Sequence, residues 1–346
     1  MNKCSIKSVL DQEIVHYFDG NNLISSKHLK VEVRKNDHSY KFKLPFELID
    51  LFGFSRILRR LLRLDKCNIF PIDEEFKKLL IIRQKKVFVF DTKLKKFNFK
   101  FSLKQCRNVL HNSICKTECG KIFFGEYGAN DMRDPVPIYK SEDLCESWEQ
   151  INLFKKDEIK HIHNISYDKF TKSIWITTGD SDGECKIIRC DLSFETKDIY
   201  GDGTQTWRSC SLIFRENNIY WLMDSPNETS FFIEMNRKTG VIKKLQQLDG
   251  PVWYTKELSE GFILAGVSVE PGNAVKTSSA QLLYTNDLKK WHCLKSFAKD
   301  SLTMKFFKFG VISFSDGRQS MKDFYISGEA LKDIDGKSIN LSISIT

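Results

Sequence analysis

Two histidines separated by one residue are the clearest candidates for chemistry in this chain. His161 and His163 open a run with strand character, HIHNISYD. Residues two apart on a strand point to the same side of the sheet. Three interpretations stay open: a pair of ligands for a divalent metal cofactor, completed by a carboxylate or by Gln205; a general acid or base beside a carboxylate; or two structural side chains that bond to neighbouring strands.

Carboxylates recur along the chain at nearly regular intervals. Five short apolar runs each end in a cluster of glycine and polar residues that holds one acidic residue. These residues are 44 to 54 positions apart, namely Glu126, Asp180, Asp224, Glu270 and Asp316. Two such carboxylates at the right separation could hydrolyse a glycosidic bond with retention or inversion.

The elements that must position these residues are hairpins. Each apolar run follows a second run with strand character, in the order Arg107 to Cys115, His161 to Asp168, Thr206 to Phe214, Val252 to Leu258 and Leu302 to Phe309. Repeating four-stranded units of about 40–50 residues are typical of propeller blades. We therefore predict an all-β fold, a six- or seven-bladed β-propeller with a short N-terminal helical segment. A β-sandwich with chance spacing is the alternative.

The predicted propeller is a single domain over residues 1–346. Residues 1–66 supply N-terminal strands and an amphipathic helical segment, and residues 67–346 supply the main blades. In the segment PFELIDLFGFSRILRRLLRL, apolar residues recur at helical spacing. The segment either packs on the propeller or lies on a membrane surface. The basic side chains that would make peripheral membrane contact are Arg56, Arg59, Arg60 and Arg63.

Hairpin geometry predicts which polar groups meet. The start of the first strand and the end of the second lie at the same end of a hairpin, so these residues should converge on one mouth of the central channel. The candidate catalytic residues there are His161, His163, Glu126, Asp180 and Asp224. The candidate substrate-binding residues are Arg107, Asn130, Arg133, Glu184, Gln205, Trp207, Arg208, Trp253, Tyr254 and Glu270.

Each of these residue types also has an ordinary structural role. The arginines could bind the carboxylate of an acidic sugar through paired hydrogen bonds or form salt bridges. The aromatic side chains could stack on a sugar ring or fill the channel wall.

Composition narrows the class of protein. The net charge is +9 and 12% of the residues are aromatic, as expected of a folded, basic protein. None of the ten cysteines forms a Cys-x-x-Cys pair, so free thiols in a reducing cytoplasm are expected. The first residues lack the apolar core of a signal peptide. We expect no nucleic-acid partner, because no nucleic-acid-binding signature is present.

Several motifs together resemble one family. The segment SEDLCESW (141–148) resembles an Asp-box, S-x-D-x-G-x-x-W, with Cys145 at the glycine position, and TNDLKKW (285–291) looks like a shortened second copy. The strings GEYGANDMRDPVPIYKSED, HIHNISYD, ITTGDSDGE, QTWRS and MDSP resemble bacterial sialidase-like (BNR/Asp-box) propellers, which are often associated with surface-polysaccharide gene clusters. The resemblance covers roughly residues 100–295. It implies a propeller and a connection with glycans, without fixing a reaction.

Two functions remain open. The first is a glycoside hydrolase or polysaccharide lyase that acts on an acidic bacterial surface polysaccharide or oligosaccharide. The second is a non-catalytic propeller that binds a glycan or a protein of a polysaccharide biosynthesis complex. A true sialidase is disfavoured, because the Arg-Ile-Pro motif of that family is absent. The expected location is cytoplasmic, with peripheral contact to a membrane as a further option.

Overall fold

Short runs of β-branched and aromatic residues bounded by turn residues build this structure from strands. The computed structural model describes residues 3–36 and 38–344. Within that part of the chain the strands form seven four-stranded sheets, and within each sheet hydrogen-bonded neighbours follow one another in the chain, apart from one exchange at the N-terminus.

The first four sheets in chain order are as follows. One contains β2 (Ile14–Phe18), β3 (Asn22–Lys27), β4 (Lys30–Lys35) and β5 (His38–Lys43). The next contains β6 (Asn68–Pro71), β7 (Lys78–Arg83), β8 (Lys86–Asp91) and β9 (Lys96–Ser102). The third contains β10 (Cys115–Lys116), β11 (Ile122–Gly125), β12 (Ile138–Ser141) and β13 (Glu149–Ile151). The fourth, which we call the histidine blade, contains β14 (His161–Asp168), β15 (Ser173–Gly179), β16 (Cys185–Cys190) and β17 (Lys197–Gly203).

Three sheets follow. The arginine blade contains β18 (Leu212–Phe214), β19 (Asn218–Leu222), β20 (Phe231–Asn236) and β21 (Ile242–Gln247). The sixth sheet contains β22 (Val252–Glu257), β23 (Ile263–Val267), β24 (Ser279–Thr285) and β25 (His292–Ala298). The last contains β26 (Val311–Phe314), β27 (Phe324–Glu329) and β28 (Ser338–Ser344), and its outer strand is β1 (Lys3–Leu10), which pairs antiparallel with β28.

This arrangement is an all-β, seven-bladed β-propeller, in which the first strand of the chain completes the last blade. The sequence left six or seven blades open, and seven are present in residues 3–36 and 38–344. Two compact units can be distinguished. One comprises Met1–Phe70, Tyr254–Pro271 and Lys276–Thr346, and the other, which holds the histidine and arginine blades, comprises Pro71–Trp253 and Gly272–Val275.

Three of the predicted first strands are wrong in detail. The run from Arg107 is a loop until β10 begins at Cys115, and a 3-10 helix, Gln205–Trp207, precedes β18. The run from Leu302 contains helix α2 (Met304–Phe307), so Asp316 follows the first strand of its blade rather than the second. In each case apolar residues that pack from a loop or a helical turn imitate the pattern of a strand.

The segment with apolar residues at helical spacing places its basic and apolar side chains differently from the prediction. It forms a 3-10 helix, Leu48–Phe54, and helix α1 (Arg56–Leu62). Arg56 pairs with Asp65 and Asp335, and the buried Arg60 pairs with Asp300 at 2.5 Å. The side chains of Leu48 and Phe54 are 80% and 83% exposed. The segment therefore turns arginines inward and apolar side chains outward.

Apolar layers hold the histidine blade between its neighbours. On one side, Phe123 and Ile138 pack against Ile162 and Ile176. On the other side, Trp175 packs with Trp207 and Trp221 of the next blade. Because β15 is buried along its whole length, the ends of β14 and β15 are fixed positions from which polar side chains can project.

Side chains of the Ser141–Trp148 turn accept hydrogen bonds from its own backbone. Asp143 accepts a hydrogen bond from the backbone N–H of Ser147 at 2.9 Å, and Ser141 accepts one from that of Cys145 at 3.0 Å. Trp148 packs on Phe101 and Phe124, between two successive blades. Cys145 has a φ of 66°, which explains why the motif prefers glycine there.

Candidate functional site

The site lies where β14 begins and β15 ends, as the hairpin argument predicts. His161 is the first residue of β14, and Asp180 directly follows β15. The register of β14 shifts between Ile162 and Asn164, so His163 is the extra residue of a β-bulge. Bulges bend a strand and redirect side chains next to functional sites. Here the bulge leaves the two imidazole rings in contact, with centroids 4.9 Å apart.

Three polar atoms converge at the centre of this site. His161 Nε2 lies 3.0 Å from His163 Nε2. Asp180 Oδ1 lies 3.4 Å from the first of these nitrogens and 3.3 Å from the second. The other ring nitrogens face backbone carbonyls: His161 Nδ1 is 2.9 Å from Gly128 O, and His163 Nδ1 is 3.2 Å from Ser209 O. Both histidines are buried.

The arginine blade adds a cation and a second carboxylate. Arg208 Nη2 is 3.0 Å from Asp180 Oδ1, and Arg208 Nε is 3.3 Å from Asp224 Oδ2. Gln205 donates from Nε2 to the carbonyl of Asp180 and to the carboxylate of Asp182. Gly179 makes room for this arrangement, because a Cβ there would lie 3.1 Å from the His163 ring and 3.2 Å from Arg208.

A second set of polar contacts lies beside the first. Arg133 Nε pairs with Glu184 at 2.8 Å, and Glu184 also accepts the backbone N–H of Lys160. Asn130 donates to the carbonyl of Lys160. Lys160 Nζ pairs with Asp180 Oδ2 at 3.1 Å. The side chains of Arg133, Lys160 and Asp180 are each about a quarter exposed, so this edge of the site meets solvent.

Burial and charge act on the protonation of these groups. Burial lowers the pKa of His161, against the opposing effect of Asp180, so its imidazole is neutral at pH 7. Burial raises the pKa of Asp180, but hydrogen bonds with His161 and His163 lower it more, and the carboxylate is ionised. Burial, followed by the charge of Asp224, holds the pKa of the Cys210 thiol well above its usual value.

Several predicted site residues lie elsewhere or are engaged in packing. The Glu126 carboxylate is fully buried and accepts hydrogen bonds from the backbone N–H groups of Lys104 and Gln105 and from the hydroxyl of Tyr139. Arg107 is exposed in the loop before β10. Trp207 stacks on Trp221, with centroids 5.4 Å apart, inside the apolar layer.

The remaining predicted residues divide between the two compact units. Trp253 is half-buried in the unit that holds the histidine blade. Tyr254 and Glu270 are buried in the other unit, where Ser268 donates to Glu270 at 2.8 Å.

Sequence reasoning missed three residues that contact this site. Lys160 pairs with Asp180, Cys210 donates to Asp224 at 3.3 Å, and the ring of Tyr127 lies 4.2 Å from that of His161. Lys160 directly precedes His161 at the start of a first strand, where polar residues are expected to converge, so its place was predictable. Cys210 and Tyr127 lack such a signal, because their positions depend on how neighbouring blades pack.

Within residues 3–36 and 38–344, two groups of side chains offer atoms close enough to share a metal ion. One is His161, His163 and Asp180, and the other is His163, Cys210 and Asp224. Within each group the ligand atoms lie within 4.8 Å of one another.

Comparisons with known proteins establish the fold. No protein-family model matches the chain, and no curated protein matches it. The chain is similar to a chain of the mitotic checkpoint complex, with 10% identity and a TM-score of 0.57 over 99% of this chain and 95% of that one. It is similar to U3-55K, with 8% identity and a TM-score of 0.54 over 98% of each chain.

A third similar structure is YCF48 bound to D1 peptide, with 8% identity and a TM-score of 0.52 over 99% of this chain and 94% of that one. At these identities the likeness shows a β-propeller and nothing finer. In residues 3–36 and 38–344, no helix has the length and apolar character needed to cross a membrane.

Proposed function

We propose that the chain is a carbohydrate-active propeller that cleaves an acidic polysaccharide, as a glycoside hydrolase or a lyase, at the end of the histidine blade. The observation that carries this proposal is the convergence of His161 Nε2, His163 Nε2 and Asp180 Oδ1 beside a solvent-facing edge. Imidazole and carboxylate groups are the ones that accept or relay protons in such reactions. The resemblance to polysaccharide-associated propellers supports the substrate class.

The cations at this edge suit an acidic sugar. Lys160 and Arg133 are both partly exposed, and each has a single carboxylate partner in the surrounding network. An incoming uronate can therefore contact either side chain without breaking the buried Arg208–Asp224 pair. Guanidinium and ammonium groups bind carboxylates through charge-assisted hydrogen bonds. We assign Lys160 and Arg133 to substrate binding and the His161–His163–Asp180 cluster to chemistry.

The test is cleavage of uronate-containing polysaccharides. The wild-type chain should release either reducing ends, which indicates a hydrolase, or product with the ultraviolet absorbance of an unsaturated uronate, which indicates a lyase. His163→Gln should lower kcat/KM by about 100-fold or more. Lys160→Met should raise KM, whereas Lys169→Met, an exposed lysine at the far turn of the same hairpin, should leave both constants unchanged. Binding without product would rule out the enzyme.

A second candidate, a non-catalytic propeller at a membrane, is favoured by the exposed apolar segment. Between residues 46 and 57 the exposed large side chains are Phe46, Leu48, Leu51, Phe52, Phe54 and Ile57. The compact unit that carries them holds 25 Lys and Arg against 18 Asp and Glu, a net charge of +7. Apolar side chains on a basic surface match an anionic lipid surface. Because Arg56, Arg59 and Arg60 form ion pairs inside the unit, we assign this contact to the apolar side chains.

Sedimentation with phosphatidylglycerol–phosphatidylcholine vesicles tests this candidate. Leu48→Ser combined with Phe54→Ser should reduce binding at least about tenfold, since each loses an apolar side chain that lipid would bury. The control is Leu94→Ser combined with Val241→Ser, two exposed apolar residues of the other unit, and this chain should bind as the wild type does. Equal binding by all three chains would contradict the assignment.

A further inference from the structure

The histidine tautomers in this site are fixed by what surrounds them. A backbone carbonyl oxygen accepts hydrogen bonds and cannot donate one. Because His161 Nδ1 faces Gly128 O and His163 Nδ1 faces Ser209 O, both Nδ1 atoms carry the hydrogen. With the hydrogen on Nδ1, a neutral imidazole ring carries its lone pair on Nε2.

Three lone pairs consequently point at one another. The Nε2 atoms of the two histidines are 3.0 Å apart, and ionised Asp180 places Oδ1 at 3.3 and 3.4 Å from them. When both rings are neutral, all three atoms are acceptors, and a shared cation, either a proton on one imidazole or a metal ion between them, is needed to join them.

We infer that His161, His163 and Asp180 bind one divalent transition-metal ion, with zinc as the best match. Ligands at about 2.0–2.1 Å from a tetrahedral zinc ion are about 3.4 Å from one another. The two nitrogen–oxygen separations, 3.3 and 3.4 Å, match that distance, and the nitrogen–nitrogen separation of 3.0 Å is shorter. A His–His–carboxylate set with an open fourth position is also the composition of catalytic zinc sites. The inference deepens the proposed function and rests on it for the role of the ion in cleavage.

The surroundings match those of metal-binding histidines. Such histidines usually donate their other ring N–H to a carbonyl or a carboxylate, which fixes the ring and its tautomer. Both histidines do so here. Arg208 donates to the same Asp180 oxygen, which has a second lone pair for a metal.

Two buried acceptors on the following hairpin strengthen the inference. Gln205 Oε1 and Asp224 Oδ1 have no hydrogen-bond partner among the described residues. The orientation of the Gln205 amide is set by its Nε2, which donates to Asp180 O and Asp182 Oδ1. Acceptors of this kind suit the hydrogens of a water molecule bound to a metal.

The second candidate group is less suitable, because the Cys210 thiol keeps its proton and donates it to Asp224.

The experiment is zinc binding by the chelator-treated full chain, followed by calorimetry and by metal analysis of the dialysed protein. We expect one zinc ion per chain in the wild type. His161→Gln, His163→Gln and Asp180→Asn should each weaken binding by about 100-fold or more. The matched control Asp182→Asn, which removes a neighbouring carboxylate outside the triangle, should bind within about threefold of the wild type.

Stability measurements keep the test decisive if a buried histidine cannot be replaced without unfolding. Zinc should raise the melting temperature of the wild type and of Asp182→Asn but not that of the near-isosteric Asp180→Asn. The inference is overturned if Zn²⁺, Co²⁺ and Mn²⁺ all fail to bind the wild type, or if Asp180→Asn binds zinc as the wild type does.

Metal binding and cleavage can fail separately. Zinc bound at this site by a chain that cleaves no polysaccharide would sustain the metal site and remove the proposed enzyme. Cleavage that survives full removal of metal would sustain the enzyme and overturn the metal site.

Discussion

Arg208 organises the candidate site by bridging two carboxylates. Its guanidinium contacts Asp180 and Asp224, and its Nη1 donates to the Asp180 carbonyl at 3.0 Å. Asp224 is buried, so its charge depends on this partner. Arg208 therefore acts on Asp180 in two ways, since it fixes the backbone where β15 ends and orients the side chain toward the histidines.

A residue-scale prediction concerns a partly buried carboxyl away from the candidate site. Burial raises the pKa of Asp316 to about 6, against the opposing charge of Lys256. An unfolded aspartate has a pKa of about 3.9. Folding therefore favours the protonated carboxyl. The contribution of Asp316 to the free energy of unfolding is complete below pH ~4 and is lost as the pH rises through about 6, by at most about 2–3 kcal/mol.

Asp316→Asn removes this titration. Between pH 4 and pH 7, the free energy of unfolding of the wild type should fall by about 2–3 kcal/mol more than that of the variant. Urea unfolding at a series of pH values measures the difference. Parallel pH profiles for the two chains would show that folding leaves the pKa of Asp316 unchanged.

At the scale of elements, turns of successive blades are joined by buried ion pairs. Asp168 ends β14 and is fully buried, and Arg237 follows β20 of the next blade. Their contact is 2.6 Å long, and the guanidinium also lies near the rings of Phe170, Trp175 and Phe214. This pair aligns the hairpin that carries His161 with the arginine blade.

Arg237→Met should lower the free energy of unfolding by about 3–5 kcal/mol, because it leaves the Asp168 carboxylate buried without its partner. Adding Asp168→Asn to the same chain should recover part of that loss, since an amide costs less to bury than a lone charge. Urea unfolding of the two single variants and the double variant measures this coupling. Additive losses would contradict it.

The bulge in β14 is the element that brings the ligands of the proposed metal site together. Without the extra residue His163 in the β14 register, the two histidines would occupy regularly spaced positions on the pleated strand. Gly179 on the facing strand leaves the space that His163 and Arg208 use. The local geometry of one hairpin thus brings three ligand atoms to within 3.4 Å of one another.

At the scale of the whole molecule, the N-terminal strand completes the last blade. β1 makes seven residue pairs with β28, so β28 becomes an open edge when residues 1–10 are deleted. Unpaired edge strands promote association between chains. We expect the truncated chain to aggregate, as measured by size-exclusion chromatography, and a synthetic peptide of residues 1–10 to restore the monomer by strand addition. A truncated chain that stays monomeric would show that β28 needs no partner.

The net charge is unevenly distributed over the molecule. Of the total of +9, the unit that holds the N-terminal strands carries +7, whereas the unit with the histidine blade holds 29 basic and 27 acidic residues. The positive net charge therefore lies mainly in the unit with the exposed apolar segment. It gives little support to the binding of an acidic ligand near the histidines. A bound metal ion would supply that positive charge locally.

The sequence by itself determined the repeating hairpins and which of their ends carry polar residues. Strand alternation and turn residues are local properties, so β14 and β15 could be placed, and with them His161, His163 and Asp180. The same local pattern misplaced the strands near Arg107 and Leu302, where apolar residues pack from a loop and from helix α2.

The tertiary structure decided what the local pattern leaves open. It set the number of blades at seven in the described residues, buried Glu126 and Trp207, and added Lys160, Tyr127 and Cys210 to the site. It also fixed the imidazole tautomers through the carbonyls of Gly128 and Ser209. These outcomes depend on contacts between residues far apart in the chain, which pairing register and packing between blades create, and the spacing of residues along the sequence does not contain them.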